Sequence, residues 1–220
     1  MLENPSVIVE SEIQYFLRKH ILRHLANDNI ENGSEILAAQ LATSIDRFDF
    51  AIQIAKLYNC DVIATASPDK LDKCLELGAD HAVDHRQDDW SKQVFKITKE
   101  IAKRKGQAPG IDLSFDHIGE THFNKQLTLL KYGATLVSCG ATTGYDAKID
   151  LSHIFFKGIN VLGSTQGTKA ELDEGLYWMG QGKIKAAVDS VYTFEQAAEA
   201  HTKMLSGKFF GKILLKPEGA

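Results

Sequence analysis

From residue 61 onward, short apolar runs alternate with stretches in which apolar residues recur every three or four positions, the signature of parallel strands joined by crossover helices. DVIATA (61–66) reads as a strand, and SPDKLDKCLELG (67–78) as a helix opened by Ser67 and Pro68 and closed by Gly78. HAVDH (81–85) is a short strand candidate. Residues 88–106 place Trp90, Val94, Ile97 and Ile101 at helical spacing and end in a cationic turn that suits the helix dipole. GIDLSFDHIG (110–119) then predicts a buried strand running into a polar turn, followed by a helix over 122–131 and a strand over 134–140. A strand at 159–164 and a helix at 169–183, weakened by its glycines, continue the rhythm. Residues 186–217 predict strand, helix, strand, with Thr193 and residues 195–204 forming a capped amphipathic helix.

Residues 1–58 differ in texture. Of the seventeen glycines only Gly33 precedes Gly78, so this part carries little tight-turn chemistry. Ile13, Phe16, Leu17, Ile21 and Leu25 lie on one stripe and predict a helix. Leu37, Leu41, Ile45, Phe48, Ile52 and Ala55 follow at steps of three or four, so one helix over 34–58 is as natural as a strand followed by a helix. SVIVE (6–10) has the best strand composition of the region.

With 220 residues, 44% of them hydrophobic, the chain has enough apolar surface for one sizeable core. Its formal charge of -4 comes from interspersed cations and anions, which gives no electrostatic reason to expect nucleic acid or an anionic membrane as partner. The opening MLENPSVIVESE lacks the basic and apolar regions of a leader, and no run approaches the roughly 18 apolar residues of a spanning helix, so a cytoplasmic protein is expected. Cys60, Cys74 and Cys139 are widely spaced and read as reduced thiols. The eight histidines form no HExxH motif, and no CxxC occurs, so no zinc is expected in this chain.

The segments AIQIAKLYNCDVIATASPDKLDKCLELGADHAVDH, GIDLSFDHIGE, LVSCGATTG, IDLSHIFFKGINVLGSTQGT and AAEAHTKMLSGKFFGKILLKP, in this order and spacing, resemble the cofactor-binding half of the medium-chain dehydrogenase/reductase family, particularly its alcohol dehydrogenase and quinone oxidoreductase branches. The resemblance implies an α/β fold, a doubly wound Rossmann-like parallel sheet, here with an atypical helical N-terminal segment over 1–50. Residues 51–185 then form the dinucleotide-binding domain, and 186–220 a C-terminal strand-helix-strand segment. It also implies that functional residues stand just after the strands, along the edge where the dinucleotide lies. Ser67 and Lys70 follow the first of these. A hydroxyl and a cation suit a 2′-phosphate, whereas an NAD site places an acid there, so the implied cofactor is NADP(H). The plain alternative is an N-cap and a solvated helix residue. Asp116, His117, Ile118 and Gly119 stand where that family lets the backbone approach the adenosine ribose. Cys139, Gly140, Ala141 and Thr142 stand on its nicotinamide side. Gly163, Ser164 and Thr165 follow the next strand with the same character, though a plain tight turn would use similar residues, and Phe210, Gly211 and Lys212 resemble the penultimate turn beside the cofactor.

Two departures limit what carries over. Where the family has a strand and a Gly-rich turn, this chain reads ATSIDRFDF; side chains fill the glycine positions, and Asp46 and Asp49 would repel a pyrophosphate. The GroES-like domain that precedes the cofactor half, with its zinc ligands and most of the substrate pocket, has no counterpart in these residues. Two functions follow: a weakly active NADP(H)-dependent oxidoreductase acting on a carbonyl, quinone or activated alkene, or a noncatalytic remnant serving as a binding module. In the family the strand at 159–164 lies near the sheet's continuation across a dimer, which makes a homodimer the expected state. A strand must also fill the slot between 61–66 and 111–116, and both 36–42 and 6–10 are candidates.

Overall fold

The computed structural model describes residues 36–40, 48–164 and 169–217. Strands β1 (Ile36–Gln40), β2 (Asp61–Ala66), β3 (His81–Asp84), β4 (Ile111–Asp116), β5 (Leu130–Ser138) and β6 (Asn160–Gly163) form one sheet in the order β3-β2-β1-β4-β5-β6. Every pairing is parallel. This is the strand order of a doubly wound Rossmann sheet, with the reversal between β1 and β4.

β1 settles which segment fills the central slot. Residues 36–40 pair with β2 from Ile36↔Asp61 to Gln40↔Thr65, and with β4 from Leu37↔Leu113 to Ala39↔Phe115. The helical spacing of Leu37 and Leu41 yields to a tertiary demand, because β2 and β4 would otherwise leave backbone donors and acceptors unpaired in the interior. The alternative strand at 6–10 and the helix expected from Ile13 to Leu25 lie outside the described residues.

Helix α1 (Phe48–Leu57) follows β1. After β2, Pro68–Lys70 make one tight turn that leads into α2 (Leu71–Glu76), and α3 (Trp90–Lys105) follows β3. The helices α4 (Phe123–Leu129) and α5 (Leu151–Lys157) complete the crossovers, and α6 (Lys169–Gly180) follows β6. β7 (Val188–Thr193), α7 (Ala197–Ser206) and β8 (Lys212–Lys216) form a C-terminal unit whose two strands pair in parallel, apart from the main sheet.

All six residues of β2 are buried, as a central strand covered on both faces requires. Alternation sorts the sheet into two cores, and a register irregularity between Ile111 and Leu113 puts those two residues of β4 on opposite faces. Val62, Ala64, Leu113, Phe115 and Val137 pack with Phe50, Ile54 and Ala55 of α1 and with Ile184. On the opposite face Ile63, Ile111 and Leu136 pack with Trp90, Val94 and Ile101 of α3 and with Leu127 of α4. The cationic end of α3 does more than face the dipole: Arg104 and Lys105 both reach the Asp61 carboxylate at the start of β2. Among the described residues no helix is long and apolar enough to cross a membrane.

Candidate functional site

The carboxyl ends of the strands are level, since Ala66 pairs with Asp84, Asp116 with Ser138, and Ser138 with Gly163. The residues expected after the strands therefore line one edge. They do not converge on a single point but fall into three groups along it.

The first group surrounds a cavity of about 690 Å³ beyond β2. Ser67, Lys70 and Phe210 line it, joined by Lys73, Arg86, Lys208 and Phe209, which the sequence reading did not assign. Arg86 follows β3 and obeys the same rule that singled out Ser67. Lys208 and Phe209 arrive on the loop between α7 and β8. The Lys70 ammonium lies 5.3 Å from the centre of the Phe209 ring, a cation–π geometry that ties the C-terminal unit to the end of β2. Two acids also line the cavity, Asp69 and Asp189. Asp69 stands 3.9 Å from Arg86, and Asp189 is held by Lys203 and by the Phe210 N–H.

In the second group the loops after β4 and β5 are knitted together. Cys139 N–H donates to the Asp116 carbonyl at 2.8 Å, Thr142 N–H to that of His117 at 3.0 Å, and Thr143 N–H to that of Ile118 at 2.9 Å. The Thr142 hydroxyl also donates to the His117 carbonyl, and lies 3.2 Å from the His117 Nδ1. Gly119 allows this approach, because a Cβ there would lie 2.7 Å from the Gly144 oxygen. The Asp116 side chain turns inward. It is fully buried, accepts from the Ile118 and Gly119 N–H groups and from Gln126, and burial raises its pKa to about 6. Asp116 thus shapes the loop, while the backbone of His117 and Gly119 forms the edge. Cys139 is half-buried, Gly140 and Thr142 are exposed, and Ala141 is intermediate. Gly163, the last residue of β6, is exposed, and Ser164 after it donates its N–H to the Ser138 carbonyl. Thr165 lies outside the described residues.

The third group sits at the start of α1, the helix that follows the reversal point. The Asp49 carboxylate, 2% exposed, accepts from the Phe50 N–H at 3.0 Å and from the Ala187 N–H at 3.1 Å. Lys212 stands 3.9 Å away and lies over the Phe50 ring. Burial raises the Asp49 pKa and Lys212 works against that rise. Gln53, one turn on, exchanges two hydrogen bonds with the backbone of Lys185. The start of α1 is in this way bonded to the chain's own C-terminal segment.

Away from these groups, His122 packs against His85 and Trp90, and burial together with His85 lowers its pKa to about 4.

The fold and the edge have counterparts among known proteins. Residues 49–181 match the family model described as zinc-binding dehydrogenase. The chain belongs to this family. A dehydrogenase of Fusarium oxysporum f. sp. lycopersici is 29% identical over 76% of this chain and 49% of its own length. A quinone oxidoreductase of Pongo abelii is 28% identical over 92% of this chain and 60% of its own. The crystal structure of an NAD-dependent alcohol dehydrogenase superposes with a TM-score of 0.77 at 30% identity, covering 94% of this chain and 57% of that one. The chain thus spans about half the length of the curated relatives it matches. These are the medium-chain dehydrogenases and reductases that the sequence resembles, and the relatives are oxidoreductases by name. Among the described residues, no group of three or more His, Cys, Asp or Glu side chains is placed to hold a metal ion.

Proposed function

We propose that the chain binds NADP(H) and takes part in hydride transfer to or from a carbonyl, quinone or activated alkene, with weaker affinity for the cofactor than a domain with a glycine turn. The observation that carries this reading is the cavity beyond β2, where Ser67, Lys70 and Arg86 meet. A phosphomonoester there finds the charge-assisted donors of Lys70 and Arg86, while Ser67 is buried, so position 67 offers it no hydroxyl and carries no acid to take ribose hydroxyls instead. The residues fit the cofactor at this end. They do not fit it ahead of α1, where the sequence has no glycine between Gly33 and Gly78 to let the backbone close on a pyrophosphate, and the buried Asp49 carboxylate takes the Phe50 and Ala187 N–H groups. Bound cofactor would supply or accept the hydride; the chain's part is to hold it, with the backbone of 117–119 along the adenosine and the small residues 139–142 beside the nicotinamide.

A titration followed by NADPH fluorescence tests the reading directly. Saturable binding in the micromolar range is expected, and the absence of saturation overturns it. NADPH is expected to bind more tightly than NADH, and Lys70→Ala to remove about tenfold or more of that preference, the worth of one charge-assisted contact. An unchanged preference in the variant would take Lys70 out of the site.

The Asp49 arrangement favours a second reading, a noncatalytic binding module that keeps the fold without the turnover. Steady-state assay with a quinone or an activated alkene separates the two, because the module shows binding without NADPH consumption.

We also propose that the chain is a homodimer through the edge of β6. All four residues of that strand are exposed, and so are Phe155 and Phe156 of α5, the helix that precedes it in the chain. A sheet edge left open is a pairing surface. Light scattering at micromolar concentration is expected to give twice the chain mass; a monomer would remove this proposal.

A further inference from the structure

The C-terminal unit is built unlike the sheet it stands beside. Every residue of β2 is buried, whereas no residue of β7 or β8 is. Among the described residues these two strands pair with each other and with no third strand. Ala200 and Phe209 are the unit's buried apolar side chains, while Val188, Val191, Phe194, Leu205 and Leu215 are exposed. A two-stranded ribbon with so little buried apolar surface is marginal on its own, and segments with few buried contacts open before the core does.

The unit is fastened to the first turns of α1. The Gln53 side chain donates to the Lys185 carbonyl at 2.9 Å and accepts the Lys185 N–H at 2.8 Å. Asp49 accepts the Ala187 N–H at 3.1 Å, and the Ala187 carbonyl accepts the Lys212 N–H, where β8 begins. Among the described residues Lys212, 3.9 Å away, is the charged side chain that acts on the Asp49 carboxylate. The exposed Lys185 meets α1 through its backbone, and α1 itself adds the Phe50 N–H and the uncharged Gln53. Ile184 and Phe210 pack on the core at this joint. The loop that carries Phe210 also supplies Lys208 and Phe209 to the wall of the cavity beyond β2.

We infer that the C-terminal unit is a strap that opens from the main sheet as one piece, short of global unfolding, and that Asp49 is its clasp, a positioning residue that holds the 208–210 wall of the cavity in place through Ala187. Opening the strap removes that wall and lets solvent into the cavity. The inference is independent of which ligand the cavity takes.

Hydrogen exchange on the full chain tests it. The amides of β7 and β8 are expected to exchange through a shared opening about tenfold or more frequent than the opening that exposes β2 and β4. Asp49→Ala is expected to raise the ribbon opening by about tenfold, the worth of one hydrogen bond to a charged group, and to raise global unfolding by the same factor, because the bond is broken in both. Gln53→Ala repeats the test with a smaller change of about threefold, and serves if the first variant does not fold. Burial raises the Asp49 pKa, while Lys212 and the bonds from Ala187 and Phe50 oppose the rise. The closed strap therefore holds the Asp49 proton more tightly than the open one. With the intrinsic pH dependence of exchange divided out, ribbon opening is expected to grow as pH climbs from the ordinary value of 3.8 through the raised folded value, and to stay level in Asp49→Asn. Ribbon amides as protected as those of β2 and β4 would mean that no strap opens. A variant that loses global stability while ribbon exchange stays unmoved would show that α1 is not the clasp. Parent and Asp49→Asn curves of the same shape would take Asp49 out of that role, and each of these three results overturns the inference.

Discussion

Gly211→Ala is expected to destabilise the protein by about 2–6 kcal/mol, the sum of an overpacking cost and a positive-φ cost. Gly211 has φ +91°, and a Cβ placed there would lie 2.1 Å from the Ala187 carbonyl oxygen and 2.6 Å from its carbon. Both are backbone atoms, and the Lys212 N–H bonds the same carbonyl at 2.6 Å, so the neighbour cannot move without breaking the start of β8 away from β7. Ala187 is also the residue whose N–H holds Asp49, which extends the damage to the start of α1. Gly133→Ala is the matched control: its φ is +73° and nothing lies within 4 Å of the added carbon, so it reports the backbone cost without the collision. Chemical denaturation of the two variants should give a much larger loss for Gly211→Ala. Equal losses would mean that the close approach to Ala187 contributes nothing.

The sequence makes the edge legible because the positions after strands are local features. DVIATA is a mostly apolar run and GIDLSFD alternates apolar with polar residues, both strand patterns, so the residues that follow them, Ser67 and Lys70 or His117 to Gly119, can be placed before any tertiary contact is known. The end of β3 obeys the same logic, and Arg86 could have been found by it. β1 remained one of two candidates because its own spacing is helical, and only the pairing of β2 and β4 with residues 36–40 decides the matter. Lys208 and Phe209 carry no local signal. They enter the cavity because the C-terminal unit docks on the end of β2, and that docking depends on bonds such as Asp49 to Ala187, whose partners are 138 residues apart. The acidity of Asp49 was visible as a conflict with pyrophosphate binding; that the carboxylate is instead used within the chain is a tertiary fact.

Asp116 gives the second large effect, and its sign follows from the direction of its pKa shift. The folded carboxyl titrates at about 6, against an ordinary value of 3.8, because burial disfavours its charged form more than Gln126 and the Ile118 and Gly119 N–H groups favour it. The folded state therefore holds a proton that the unfolded state has released. Stability from this group is fully present below about pH 4 and is lost as pH rises through about 6, a total change of about 3 kcal/mol. Asp116→Asn keeps an oxygen acceptor for the Ile118 N–H and the Gln126 amide while removing the titration. Denaturation of both proteins between pH 4 and 8 should show the variant gaining on the parent as pH rises, with the difference levelling off above the folded pKa. Taking the difference cancels the other carboxylates, including Asp49, whose raised pKa acts in the same direction. Curves that stay parallel across this range would show that the Asp116 carboxyl ionises at its ordinary value despite its burial, and that the loop bearing His117 and Gly119 is held by an ionised anchor.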